Sequence, residues 1–325
     1  RTEEVTFLQA IKEALQEVMR QDETVFIIGE DVGVYGGAFK VTEGFIDEFG
    51  PKRVIDAPIA ETGFIGAAIG ASLMGLKPVV EVQYADFISC GWDQIVNVAA
   101  KYHYRTRDPV PLVIRGPSGA GLRAGPFHSQ SPELWFAHCP GLKVVVPATP
   151  TDAKGLLKAA IADPNPVIFF EHKYLYRRIK ERLPQAEYTV PIGKARIDRE
   201  GEDLTVITYG AMLYKAREAA SALETEGISC QIVDLRTVYP LDREIIVNAV
   251  KKTSKVMVLV EDTLSYGVSA EVAATIASDA FEYLDAPVVR VAPPDTPIPF
   301  SPPLEDAFLP QTDEILAKAK ELLNY

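Results

Sequence analysis

Residues 79–87 read Val-Val-Glu-Val-Gln-Tyr-Ala-Asp-Phe. A short β-branched run, 79–82, gives way at once to polar and aromatic residues. Such a run suits a strand buried on both faces of a parallel sheet, with the following residues emerging at its carboxyl end. The carboxyl end of a parallel strand is where α/β folds place ligands. Similar runs occur at 25–28, 112–114, 144–146 and 167–170. Helical patterns lie between them. Leu8, Ile11, Leu15 and Val18 recur on one face, and Ile95, Val98 and Ala99 repeat the spacing. Thr151-Asp152-Ala153 opens a further helix with an N-cap candidate. This alternation predicts an α/β fold with a mostly parallel sheet.

The pattern restarts with strands at 204–208, 232–234, 256–260 and 287–291, and ends in a helix over 312–323. Between the two blocks, LPQAEYTVPIG (183–193) has two prolines and little helical period, so it reads as a linker. The expected domains are therefore residues 1–185 and 186–325. Residues 293–303 hold six prolines and read as irregular. A length of 325 residues suits two domains, and 47% hydrophobic with 24% charged residues suits a globular enzyme.

The net charge of −12 argues against nucleic acid or an anionic membrane as a partner. Cys90, Cys139 and Cys230 are widely spaced without a C-x-x-C, which fits a reducing compartment. The start, Arg1-Thr2-Glu3-Glu4-Val5, carries no signal-peptide core. The Gly- and Ala-rich stretch 62–76 is too short for a membrane span. A soluble intracellular protein is the expectation.

Glu61 follows Pro58-Ile59-Ala60 and precedes a stretch of small and apolar residues. Two readings stay open: a desolvated carboxylate whose ionisation depends on a specific partner, or a helix N-terminal Glu facing water. His128 ends the Gly-rich segment 116–128, where a titratable ring suits proton transfer near neutral pH; a merely solvated loop His is the alternative. Tyr84 and Phe87 either stack on a heterocycle or plug a loop. His103, His138 and His172 read as structural, and Asp234-Leu235-Arg236-Thr237 reads as an Asp–Arg pair closing a strand. Zinc-ligand spacing and the P-loop pattern are both missing from the sequence. Residues 119–125 miss the dinucleotide fingerprint by one residue.

Several segments together resemble the β subunits of thiamine-diphosphate-dependent 2-oxo acid dehydrogenases. They are Gly29-Glu30-Asp31-Val32-Gly33, Pro58-Ile59-Ala60-Glu61, Glu81-Val82-Gln83-Tyr84-Ala85-Asp86-Phe87, His128-Ser129-Gln130-Ser131-Pro132-Glu133, Pro140-Gly141-Leu142-Lys143-Val144-Val145, Asp152-Ala153-Lys154-Gly155-Leu156-Leu157 and Asp234-Leu235-Arg236-Thr237. The resemblance runs in order along the whole chain. It implies a transketolase-like fold, with a parallel-sheet pyrimidine-binding domain followed by a second α/β C-terminal domain. It also implies an α2β2 heterotetramer in which the α subunit holds the diphosphate and Mg2+. Gly-Asp-Gly, which opens the diphosphate–metal signature of thiamine enzymes, is absent from this sequence. A self-sufficient transketolase-type enzyme is the alternative that this absence counts against; an acetoin dehydrogenase β subunit is another.

Residue by residue, the resemblance makes Glu61 the carboxylate that bonds the aminopyrimidine nitrogen and favours the tautomer able to take the thiazolium proton. Ile59, Gln83 and Phe87 fall where the family contacts the pyrimidine; Phe87 lacks the hydroxyl of the Tyr often found there. His128 matches the histidine that orients the lipoyl group and donates a proton during reductive acylation. Leu112, Ala160, Ile161, Asp163 and Asn165 match a structural K+ site. Implied partners are the α subunit, a small 2-oxo acid, the lipoyl domain, and the dihydrolipoyl acyltransferase core, docked through its peripheral subunit-binding domain near Tyr325. The implied location is bacterial cytoplasm or mitochondrial matrix. For the substrate, residues 128–133 lean towards the branched-chain type and Tyr239-Pro240-Leu241-Asp242 towards the pyruvate type.

Overall fold

A computed structural model describes residues 3–325; Arg1 and Thr2, part of the N-terminal stretch read above, lie outside the described residues. The chain divides into two compact units, Arg1–Ser118 with Trp135–Ile192 and Gly119–Leu134 with Gly193–Tyr325. The change of unit thus falls at the far end of the 183–193 linker rather than at residue 185. Nothing in the composition announces that Gly119–Leu134 joins the second unit.

Up to residue 192 the elements are β1 (Val5–Thr6), α1 (Phe7–Gln21), β2 (Val25–Gly29), α2 (Phe45–Phe49), β3 (Val54–Asp56), α3 (Glu61–Leu73), β4 (Lys77–Glu81), α4 (Ala100–Thr106), β5 (Val113–Ser118), α5 (Glu133–Ala137), β6 (Lys143–Val145), α6 (Pro150–Ala162), β7 (Val167–His172) and β8 (Lys180–Glu181). Strands β6-β7-β5-β4-β2-β3 lie side by side in that order, and every one of these neighbours is parallel. Every residue of β2, β5 and β7 is buried, as expected where helices cover both faces of a sheet.

Local chemistry sets the helix starts. Thr6 and Gln9 form a reciprocal capping box on α1, worth about 1 kcal/mol. On α1, Leu8, Ile11 and Leu15 are buried with Phe7, Ala10, Ala14 and Met19, whereas Val18 is only partly covered. Helix α6 starts at Pro150, capped by the Thr149 hydroxyl, and not at Thr151; a proline at the first position forfeits no hydrogen bond. Residues Gln94–Ala99 wind as a π-helix that buries Ile95, Val96 and Ala99 and leaves Val98 partly exposed. The wider turn shifts the phase that a 3.6-residue period predicts.

A buried ion cluster ties β4, β5 and β7. Arg115 donates from Nε and Nη2 to the two Glu171 oxygens, each at 2.6 Å, and from Nη1 to Glu81. The Tyr176 hydroxyl donates to Glu171 at 2.6 Å. Burial, helped by the Glu171 charge and opposed by Arg115, pushes the Glu81 carboxyl up.

The second unit adds β9 (Arg196–Arg199), β10 (Leu204–Thr208), α7 (Met212–Thr225), β11 (Cys230–Asp234), β12 (Thr237–Tyr239), α8 (Arg243–Thr253), β13 (Val256–Leu259), α9 (Val268–Asp279), β14 (Val289–Val291), α10 (Pro302–Phe308) and α11 (Thr312–Leu323). Its sheet runs β14-β13-β10-β11-β9, parallel except for β9 against β11. The proline-rich stretch is irregular only to Ser301, because Pro302 and Pro303 open α10, where a fixed φ suits the first turn. Asp234 takes the Arg196 guanidinium at 3.4 Å and the Arg236 backbone N–H at 3.1 Å, so β9 contributes to closing this strand end. All three cysteines are free, Cys90 exposed and the others buried. Among the described residues no helix is long and apolar enough to cross a membrane.

Candidate active site

In the first unit, β2 leads to β3 on one side and the chain then returns across β2 to β4 on the other. The point where the winding reverses, between the carboxyl ends of β2 and β4, is where an open α/β sheet binds ligands. The backbones approach closely there: a Cβ on Gly29 would lie 2.3 Å from the Glu81 carbonyl oxygen. Glycine is therefore required at that position for packing, with no positive φ involved.

Three strand ends deliver the candidate residues. Beyond β2 come Glu30 and Asp31. Beyond β3 come Ile59, 86% exposed, and Glu61, half-buried as the first residue of α3. Beyond β4 come Gln83 and Phe87, both half-buried. The Gln83 amide donates to Asp31 Oδ2 at 3.0 Å, and the Tyr84 and Phe87 rings meet edge-to-face at 6.1 Å. Gly33 N–H donates to Asp56 Oδ1 at 2.6 Å and holds the β2 loop against β3. The Thr62 hydroxyl donates to the Cys90 carbonyl at 2.6 Å, fixing the start of α3.

Sequence reasoning gave Glu30 no role, although it directly follows a strand run. Its side chain is 5% exposed, and its Oε1 has no hydrogen-bond partner. Burial pushes its carboxyl up, and the charges of Glu61 and Asp31 add to the shift. Burial and the charges of Glu61 and Glu30 raise the Cys90 thiol. Glu61 is therefore within electrostatic reach of both. A carboxylate at a helix start, an amide, an aromatic face, an exposed aliphatic and an orphaned carboxyl oxygen make a donor set that fits an amine-bearing nitrogen heterocycle.

His128 belongs to the second unit, half-buried in a turn where its N–H donates to the Gly125 carbonyl at 3.3 Å. Leu112, Ala160, Ile161, Asp163 and Asn165 gather where α6 meets the approaches to β5 and β7. The Asp163 carboxylate is engaged by the Lys143 ammonium and by the Asn165 N–H. The Leu112 and Ala160 carbonyls each accept one amide and keep a second lone pair. With its carboxylate so engaged, Asp163 shapes the turn, and any ion here would have to be held by carbonyl oxygens. Among the described residues no group of three or more His, Cys, Asp or Glu side chains could hold a metal ion.

Comparison with known proteins agrees with this architecture. Residues 3–178 match the transketolase pyrimidine-binding domain and residues 193–315 the transketolase C-terminal domain. A solved structure described as a split-gene transketolase, inactive β4 tetramer, superposes with a TM-score of 0.80 at 24% identity, covering 98% of both chains, and shares the fold. The fold and site define a transketolase-like protein. The chain is 48% identical to the 2-oxoisovalerate dehydrogenase subunit beta of Bacillus subtilis over 99% of both sequences. It is 45% identical to the pyruvate dehydrogenase E1 component subunit beta of the same organism, again over 99% of both. With the mitochondrial pyruvate dehydrogenase E1 component subunit beta-2 of Oryza sativa it shares 45% identity, over 98% of this chain and 86% of that one. The chain belongs to the family of E1 β subunits of the 2-oxo acid dehydrogenase complexes.

Proposed function

We propose that this E1 β subunit supplies the pyrimidine half of a thiamine diphosphate site and acts only with an α subunit that holds the diphosphate and Mg2+. One observation carries the reading: Glu61, Gln83, Phe87 and the buried Glu30 converge on one switch point, in a chain without Gly-Asp-Gly. When bound, the coenzyme supplies the electron sink for decarboxylating a 2-oxo acid. Glu61 accepts a charge-assisted hydrogen bond from the pyrimidine ring nitrogen and so sets its tautomer. Burial, with the Glu61 and Asp31 charges adding to it, makes Glu30 keep its proton to higher pH than an ordinary carboxyl. Gln83, held by Asp31, retains its carbonyl as an acceptor for the ring amine. Phe87 and Ile59 offer apolar contact. His128 orients the lipoyl group and donates a proton to it during acylation.

The test is reconstitution. The chain alone should not decarboxylate, and adding its α partner should give thiamine-dependent turnover in an α2β2 assembly. Glu61→Gln in that assembly should slow decarboxylation by about 10²–10⁴-fold, the usual worth of acid–base catalysis. Near-normal turnover of the variant would end the assignment. His128→Ala should lose lipoyl acylation selectively, and an equal loss with an artificial electron acceptor would remove its lipoyl role.

The substrate proposed is pyruvate or a branched-chain 2-oxo acid; relatives of both kinds stand at 48% and 45% identity, and a substrate panel on the reconstituted tetramer separates them. The surface near the exposed Tyr325 is proposed to dock the subunit-binding domain of the acyltransferase core. A structural K+ on the carbonyls of Leu112, Ala160, Ile161 and Asn165 completes the proposal. It predicts a higher melting temperature in K+ than in Na+ at equal ionic strength.

A further inference from the structure

The second unit has a switch point of its own. From β10 the chain passes through α7 to β11 on one side, then returns through α8 to β13 on the other. The carboxyl ends of β10 and β13 therefore flank the crevice where this architecture takes a ligand. The residues at and beyond those strand ends, Thr208, Tyr209, Glu261 and Asp262, are all buried.

The occupant of that crevice is the chain's own segment 119–134. Ala120 N–H donates to Glu261 Oε1 at 2.6 Å. Gly121 N–H donates to Oε1 of Glu305, a residue with 0% exposure, at 2.9 Å. Arg123 reaches Glu305 Oε2 at 2.7 Å, the Pro302 carbonyl at 3.0 Å and Asp306 Oδ1 at 2.7 Å. At Gly125 a Cβ would lie 2.6 Å from the Phe300 ring. Gly119 N–H donates to the Gln130 carbonyl at 3.0 Å and closes the neck. Glu133, at the far end of the segment, is close enough to act electrostatically on Tyr209. The result is a compact loop, pinned at its base, whose Leu122 and Phe127 face outward and whose next residue is His128.

We infer that the β10/β13 crevice is a receptor for this loop, and that Glu305 and Glu261 are positioning residues that set where His128 is held for the lipoyl group. Two features separate this from ordinary loop packing. Carboxylates of the strand end and of α10 meet consecutive backbone N–H groups of the loop. The buried Glu305 also pairs with the loop's own cation, Arg123. Charge-assisted bonds of that kind fix geometry more tightly than neutral ones. The inference rests on the lipoyl role proposed for His128.

The test uses the assembled protein with Glu305→Gln, Arg123→Ala and, as comparator, His128→Ala. Arg123 is only half-buried, so its variant should fold even if the Glu305 variant does not. Two quantities are read: hydrogen exchange of the peptide spanning 119–134, and the ratio of lipoyl-domain acylation to decarboxylation with an artificial electron acceptor. Exchange should rise at least tenfold in both anchor variants, and the ratio should fall at least tenfold, as is expected for His128→Ala. Unchanged exchange would overturn the anchoring. Faster exchange with an unchanged ratio would reduce Glu305 to a structural part and overturn the positioning role. If His128→Ala itself leaves the ratio unchanged, the lipoyl role of His128 fails, while exchange still decides whether the carboxylates hold the loop.

Discussion

Asp262 gives a prediction whose size can be worked out from the structure. Its side chain follows β13, is 6% exposed, and accepts the Val268 N–H at 2.7 Å at the start of α9. Burial is the main cause that lifts its carboxyl from an ordinary 3.8 to about 7; the backbone bonds from Val268 and from its own amide oppose this, and the Glu261 charge adds to it. A folded-state value above the unfolded one means the folded chain holds the proton more tightly. The associated stability is complete below about pH 4 and is lost as pH rises through 7. At 1.36 kcal/mol per unit the full loss is about 4 kcal/mol. Asp262→Asn keeps an oxygen for Val268 but carries no charge to bury. Weakening that bond costs about 1 kcal/mol, so the variant should gain about 3 kcal/mol over wild type at pH 8, and the gap should close towards pH 5. Thermal unfolding of the full chain, wild type against variant, across pH 5–8 reads this directly. A variant no more stable at pH 8, or a gap independent of pH, would refute the reasoning.

Arg115→Met should destabilise the chain by about 3–5 kcal/mol at neutral pH, because Glu81 and Glu171 lose their buried counter-ion; the deficit should shrink as pH falls and Glu81, whose carboxyl burial already pushes up, regains its proton, measurable in denaturant titrations at pH 5 and 8. Gly29→Ala should weaken coenzyme binding to the reconstituted tetramer, since its Cβ meets the Glu81 carbonyl; unchanged affinity would show that the β2–β4 ends can spread without harm. Thr149→Ala should cost about 1 kcal/mol by uncapping α6, and loss of stability on Thr151→Ala alone would reverse that assignment.

The strands were legible because both faces of the parallel sheet are buried, so the runs at 25–28 and 167–170 carry an unbroken apolar signal, and the run at 79–82 one interrupted only by Glu81. Their ends were less so. The run at 287–291 becomes a strand only from Val289, because pairing with β13 decides where a strand begins. The Gln94–Ala99 segment defeated a fixed period, since a π-helix is set by what packs around it. Glu61 was visible as an isolated carboxylate, but Glu30 was not, because its burial is a product of the fold and the Glu61 charge that acts on it stands about thirty residues further along the chain. The Lys143–Asp163 pair hid in the same way, and it changes how an ion could be held there.

The least legible feature was the one most tied to proposed function. Residues 119–134 sit between two strands of the first unit in sequence yet belong to the second. In the sequence their glycines mark only a Gly-rich segment, which by composition suggests a loose loop. In the structure Gly119, Gly121 and Gly125, with φ of 82°, 92° and 73°, do the opposite. Each lets the backbone adopt a conformation costly for other residues, and Arg123 adopts one at φ 61° as well. That cost is borne only if the surroundings over-determine it, and the bonds to Glu261, Glu305 and Asp306 do so. Both switch points in this chain are therefore used. One presents side chains at the carboxyl ends of β2 and β4, and the other is filled by a loop of the same chain, so a histidine can be held rigidly without lying on a strand or a helix.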